Sequence, residues 1–385
     1  MSRKRAITAG ARRLCLLLLF AAVPLVFVAA AGANGGKQDR PLAWAPGGGR
    51  VVFERSNTSG GDAGAFEIYL DGRGVTRVPD CDDECAWSPD GRRLVFLRRD
   101  VRVGGTVSDR IFVADAAGRD VRQLIRENDP EHIEDDVLGW APDGSWIAFQ
   151  RTRLRPISAT SAIQVVTNVW LVRPDGSGLR RLSQRRGSDW GPSWSPDGRR
   201  VVFARQSARR RNDLYVADLA TGGERRLTYS ADNDVAAWSP RGDEIVFERA
   251  HDLLHDSEVD IWSIRADGTG LHDLTPVKGG DTNPVWSPDG RTIAFEVDFR
   301  RHRPRDWDWL EEIWLMRPDG THQRPLFRRF GADSIPQDSE PVWSPDSKQI
   351  AFARFDYGQE KTGETSRMSL HVVRADGRNA RRLTY

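Results

Sequence analysis

Apolar residues in this chain fall in short runs of three or four that recur in a fixed order. One set is typified by Val201-Val202-Phe203 and Ile293-Ala294-Phe295. A second set follows each of these after a loop of varying length, as in Ile68-Tyr69-Leu70, Trp170-Leu171-Val172, Leu214-Tyr215-Val216 and Ile313-Trp314-Leu315. Runs of this length, bounded by turn residues and rich in β-branched and aromatic side chains, predict buried strands. After the second run comes a turn, often Asp-Gly as at 175–176, 267–268, 319–320 and 376–377. An Arg-rich segment ending in Leu then follows, such as Arg225-Arg226-Leu227-Thr228 or Arg381-Arg382-Leu383-Thr384. No stretch leaves room for a substantial helix.

Ahead of each first run stands a tryptophan motif. Repeats 2 to 4 carry Trp87-Ser88-Pro89-Asp90-Gly91, Trp140-Ala141-Pro142-Asp143-Gly144 and Trp194-Ser195-Pro196-Asp197-Gly198. Repeats 5 to 7 carry Trp238-Ser239-Pro240-Arg241-Gly242, Trp286-Ser287-Pro288-Asp289-Gly290 and Trp343-Ser344-Pro345-Asp346-Ser347. Repeat 1 is degenerate, Trp44-Ala45-Pro46-Gly47-Gly48, as a terminal repeat often is. Tryptophan recurs at intervals of 43 to 57 residues, and a phenylalanine stands nine residues after each one, from Phe53 to Phe352. Pro fixes φ at the first corner of the turn, Asp tolerates the next, and Gly accepts positive φ. Each repeat therefore predicts four strands, which is one blade of a β-propeller. The expected fold is all-β, a single seven-bladed propeller over residues 34–385, with six or eight blades as the alternatives. Every repeat begins with its inner strand and ends with its outer one. No strand is left to share between first and last blades, so closure would rest on packing, helped by residues 34–40.

The recurring Trp-Ser-Pro-Asp-Gly, the Ile-Ala-Phe and Ile-Tyr-Val types of strand and the Arg-Leu-Thr ending resemble the TolB-like family of propeller repeats over about residues 38–385. The resemblance implies a propeller and an association with the cell envelope. Two features depart from TolB itself: the α/β domain that precedes the propeller there has no counterpart, and its six blades contrast with seven motifs here.

Composition changes one part of this picture. Lys+Arg number 57 and Asp+Glu 55 across 385 residues, a balance that fits neither a disordered acidic tail nor a nucleic-acid-binding protein. The basic excess belongs to the first 33 residues. Arg3, Lys4, Arg5, Arg12 and Arg13 precede an apolar run from Leu14 to Ala31, closed by small residues. This reads as a cleaved signal peptide, or as a retained N-terminal anchor, the only expected link to a membrane. Both place the remainder outside the cytoplasm, periplasmic or extracellular. Without this segment the chain has 52 basic and 55 acidic residues, a net charge of −3.

Loops joining the second and third strands vary most, so the face they share is the expected binding face. Five residues before each motif Trp stand Asp39, Asp82, Asp135, Asp189, Asn233, Asp281 and Asp338, predicting an acidic ring at the channel mouth. Such carboxylates cap their own loops in one reading. In the other they hold a cation or a cationic ligand group, with calcium the natural ion. A basic collar is expected outside them, from Arg98, Arg99 and Arg102, Arg151, Arg153 and Arg155, Arg209 to Arg211, and Arg300 to Arg305. Arg301, Arg305, Trp307 and Trp309 share one loop and are candidate partner anchors. Cys81 and Cys85 are close enough for a short disulfide in an oxidising compartment. Catalytic motifs are missing: the seven His are scattered, and there is neither a nucleophile elbow nor a phosphate loop. The leading expectation is a monomeric, non-enzymatic exported propeller that engages a protein or cell-envelope ligand. The alternative is a propeller hydrolase or lyase acting on a carbohydrate or peptide with a metal at the channel mouth.

Overall fold

The computed structural model describes residues 37–385 except 58–62, 79–80, 82–84, 104–105, 117, 127–131, 157–162, 184–186, 208–210, 230–231, 251–258, 277–279, 299–310, 328–336 and 357–366. Among the described residues there are twenty-eight strands and no helix, and every motif repeat supplies four consecutive strands. In repeat 4 these are Asp189–Trp194, Arg200–Gln206, Asn212–Asp218 and Glu224–Arg226, hydrogen-bonded antiparallel in chain order. The outermost strands are only two or three residues long, shorter than the Arg-rich segments suggest. Short edges leave little unpaired backbone for edge-to-edge association.

Why the motif folds as it does is visible at each first turn. Ser195 Oγ donates to Asp197 Oδ1 at 2.5 Å and accepts from the Arg200 amide at 2.9 Å, while the Gly198 amide bonds Ser195 O at 2.8 Å. Gly198 sits at φ 67°, a conformation costly for residues with a Cβ. Repeats 2, 6 and 7 build the same turn around Ser88, Ser287 and Ser344. Repeat 5 has Arg241 where repeats 2, 3, 4, 6 and 7 have Asp, and its Ser239 turns instead to Asp243 at 2.7 Å.

The core lies between sheets rather than within them. One apolar cluster combines Val202, Leu214 and Leu227 of repeat 4 with Trp238, Phe247 and Ile264 of repeat 5. The motif phenylalanines are fully buried in these seams. First strands of successive repeats lie against one another in chain order, and the first strand of repeat 1 lies against repeat 7. Repeats 1 and 7 share an apolar cluster, Trp44, Val51, Phe53 and Ile68 against Ala351, Leu370, Val372 and Leu383. The two sheets join through a single parallel bridge, Gln38 to Met368, rather than a shared strand. A tryptophan clasp recurs in four of the repeats, while the Nε1 of Trp87, Trp238 and Trp286 finds no acceptor among the described residues. The Nε1 of Trp140, Trp194 and Trp343 donates to the carbonyl of Ala86, Gly139 and Val285 in the preceding repeat. Trp44 makes the equivalent bond to Val342 at 2.9 Å, across the closing seam.

Candidate functional site: carboxylates of the inner strands

Among the described residues five before a motif Trp, Asp39, Asp135, Asp189, Asn233, Asp281 and Asp338 are buried, and arginine pairs with four of these six. Asp39, Asp135 and Asp338 each accept two hydrogen bonds, from Arg55, Arg151 and Arg354 respectively. Asp189 takes Arg205 Nε at 2.5 Å, and Arg205 also bonds Glu224. The geometry follows from strand register, since Asp189 lies directly opposite Arg205 and Asp135 opposite Arg151. Each of these arginines also lies over the motif Phe two residues before it, at 5.2 to 5.3 Å for Arg55, Arg151, Arg205 and Arg354. A signal for this was present in the sequence as Phe-x-Arg at 53–55, 96–98, 149–151, 203–205, 247–249 and 352–354. Arg151 therefore stands inside the fold, 2% exposed, and not in an outer basic collar.

Repeats 5 and 6 break the pairing. Repeat 5 keeps Arg249 but has Asn233 opposite it, and Arg249 lies over Trp262 at 4.6 Å. Repeat 6 keeps Asp281 but has Val297 opposite. Burial, opposed by a hydrogen bond from Thr275 and reinforced by Asp260 and Asp273, pushes Asp281 up to about 7. Asp82, Arg301, Arg305, Trp307 and Trp309 lie outside the described residues. Among the described residues no group of three or more His, Cys, Asp or Glu is placed to hold a metal ion.

A second set of carboxylates, not singled out by sequence reasoning, gathers on the inner strands of repeats 5 to 7. Three residues before the motif Trp, the first strand bulges. Gly191, Val235, Asn283 and Glu340 all have positive φ there, 58°, 44°, 52° and 56°. A bulge of this kind re-aims backbone groups out of the ladder. Here it turns an amide toward the preceding sheet, where the residue after the motif Phe receives it. The Gly191 amide donates to Gln150 Oε1 at 2.7 Å, Asn283 to Glu248 Oε1 at 2.7 Å and Glu340 to Glu296 Oε1 at 2.6 Å. Repeat 4 has Ala204 at the receiving position, so the Val235 amide bonds its own Asp234 at 2.9 Å, and Trp190 Nε1 reaches Asp234 across the seam at 3.0 Å. A β-branched residue at positive φ is strained. Repeat 1 has Pro41 at the bulge position, with no amide to give. Its seam is held by Arg40, which bonds Glu54 at 2.5 Å and approaches Glu340 at 3.8 Å.

These groups do not titrate as ordinary carboxylates. Burial, with Glu311 close by, pushes Glu296 up to about 8. Burial likewise raises Glu248 to about 7 and Asp234 to about 6, and each is opposed by the amide it accepts. Glu340 is raised to about 7 by burial, against the pull of Arg40. The polar side chain directly after the motif Phe, Glu54, Gln150, Glu248 or Glu296, was the available sequence signal, a charged residue inside an apolar strand.

No family model matches the chain. A stretch of 223 residues, 56% of the chain and 69% of the relative, is 29% identical to the uncharacterized protein Atu1656 of Agrobacterium fabrum. A shorter stretch of 124 residues, 31% of the chain, is 32% identical to the Protein TolB homolog of Chlorobium luteolum, and it spans about a quarter of that protein, 26%. Among solved structures, the β-propeller domain of the Trilobed protease from Pyrococcus furiosus, described as having an open velcro topology, matches with TM-score 0.60 at 11% identity. That match covers 91% of this chain and 98% of the domain. The fold is thus that of a β-propeller, and part of the sequence is related to a TolB homologue.

Proposed function

We propose that the chain is an exported, closed seven-bladed propeller that binds a protein or cell-envelope ligand through the inner-strand carboxylates and the loops beside them. The observation that carries this reading is an asymmetry. The Asp residues five before the motif Trp are neutralised by arginine in repeats 1, 3, 4 and 7. Asp234, Glu248, Glu296 and Glu340 gather instead on repeats 5 to 7 with raised pKa values, and Arg40 stands beside Glu340. Strained backbone at Val235 and perturbed carboxylates together mark a functional site more often than a structural one. The closed ring is supported by the Trp44 clasp and the repeat 1–repeat 7 core. Export is supported by the leader-like residues 1–33, which lie outside the described residues. The TolB homologue points toward envelope binding, and the protease whose propeller domain shares the fold keeps peptidase or lyase activity as the second reading.

Affinity capture from envelope extract tests the reading, comparing wild type with an Asp234→Asn, Glu340→Gln variant of the full exported chain. Wild type should retain a discrete ligand that the variant loses by at least about tenfold, the weight of one charge-assisted contact. Equal capture by both removes the carboxylates from binding, and turnover of a peptide or polysaccharide by the purified protein moves the assignment to an enzyme.

Cys81 and Cys85 pack in one apolar cluster with Val52, Phe96 and Phe112. We propose that export joins them. Peptides carrying Cys81 and Cys85 should resist thiol alkylation in the denatured, unreduced protein and react after reduction. Alkylation without reductant removes the bond.

A further inference from the structure

We propose that the seams joining repeats 5, 6 and 7 are controlled by protons. Glu248 and Glu296 bridge these seams as neutral carboxyls, and their ionisation loosens the inner edge of the propeller.

The internal comparison is repeat 3. There the same bond, from a bulge amide to the side chain after the motif Phe, is accepted by Gln150. A protonated glutamic acid has nearly the shape and polarity of glutamine, so Glu248 and Glu296 fill the Gln150 role when neutral. Burial and the neighbouring carboxylates favour that state and outweigh the N–H groups these glutamates accept, which favour the ionised form. Glu296, 2% exposed, accepts the Glu340 amide on one oxygen and Asn283 Nδ2 on the other at 2.9 Å. Facing it are Glu311 from its own sheet and Glu340 from repeat 7. Glu340 in turn faces Glu54 and Arg40 of repeat 1. Glu248 faces Asp234, its register partner, and Asn283 of repeat 6. Among these described groups Arg40 is the cation, and it is bonded to Glu54. Removing both protons sets Glu296 against Glu340 across the seam of repeats 6 and 7, and Glu248 against Asp234 at the edge of the seam of repeats 5 and 6, with Asn283 bonded to both glutamates.

The direction follows from proton uptake. Glu248 and Glu296 stand at about 7 and about 8 in the fold against an ordinary 4.5, so the folded state holds the extra protons. Their contribution is complete below the ordinary carboxylate range and is lost as pH rises through 7 to 8. This effect does not depend on the identity of any ligand.

Amide hydrogen exchange on the full exported chain reads the seams one by one. After correction for intrinsic base catalysis, protection of the Asn283 and Glu340 amides should fall by about tenfold or more between pH 6 and pH 9, a change of one pKa unit or more. The Gly191 amide, held by Gln150, should not change. A Glu248→Gln, Glu296→Gln variant should hold all three amides constant across the range. Gln150→Glu, which places a carboxyl beside Asp136, should make Gly191 respond as the other two do. An equal pH response at all three wild-type amides overturns the proposal, and so does a response that survives in the double variant. If the double variant does not fold, the wild-type comparison and Gln150→Glu decide the question between them.

Discussion

Asp135→Ala should lower the unfolding free energy by about 3 to 5 kcal/mol, the range for removing one partner of a buried ion pair. Asp135 is fully buried and Arg151 is 2% exposed, so neither side chain can turn to solvent when its partner goes. The guanidinium meets the carboxylate with Nε at 2.8 Å and Nη2 at 3.1 Å, and it lies over the rings of Phe149 and Trp170. Removing the carboxylate deletes both of these hydrogen bonds and their charge attraction while the aromatic contacts stay. Asp135→Asn keeps an acceptor of the same shape and should cost less, about 1 to 3 kcal/mol. Asp338→Ala should also cost less than Asp135→Ala, because the Arg354 side chain is 19% exposed and can recover water. Urea unfolding followed by tryptophan fluorescence gives all three values. A loss below about 1 kcal/mol for Asp135→Ala, the range of a surface pair, would show that Arg151 is solvated in the folded protein.

The repeat and its four strands were legible because they depend on local chemistry. Pro, Asp and Gly set the turn, and alternation of apolar runs sets the strands. Repeat 5 shows that the rule even survives a lost Asp, since Asp243 takes over two residues later. The fate of the recurrent Asp was not legible from its position alone. Its partner sits sixteen residues later on the adjacent strand, and only register brings Asp189 to Arg205. Aligning the repeats on Phe-x-Arg as well as on Trp would have shown the pair, and would have shown Asn233 and Val297 as its two exceptions. The inner carboxylates were hidden for a different reason. Glu248 and Asn283 belong to different repeats, and their bond exists only because the inner strand bulges at positive φ. Such a bulge carries no fixed residue signature here: Gly191, Val235, Asn283 and Glu340 occupy equivalent places.

Phe203→Ala should cost about 3 to 5 kcal/mol, the range for removing a buried aromatic side chain from a packed core. The ring is fully buried, stacks on Tyr215 at 6.1 Å between centroids and supports Arg205 on its face. Its cluster includes Ala148, Val169 and Leu171 of repeat 3, so the cavity opens in the seam between repeats 3 and 4. How that loss spreads depends on topology. In an open array each repeat answers only to its neighbours, and a weakened seam lets one end unfold before the other. In a closed ring both ends of any break are held by the rest, and the Trp44–Val342 clasp with the Phe53–Leu370 core would transmit the strain to every seam. Closure therefore predicts that Phe203→Ala melts in one transition, displaced to lower temperature, by calorimetry and by near-ultraviolet dichroism alike. Adding Trp44→Phe, which deletes the clasp hydrogen bond and thins the apolar cluster between repeats 1 and 7, should split that transition in the Phe203→Ala background while leaving wild type with a single one. A Phe203→Ala protein that already melts in two steps would show that the closing seam contributes nothing to cooperativity and that the seven sheets behave as an open row.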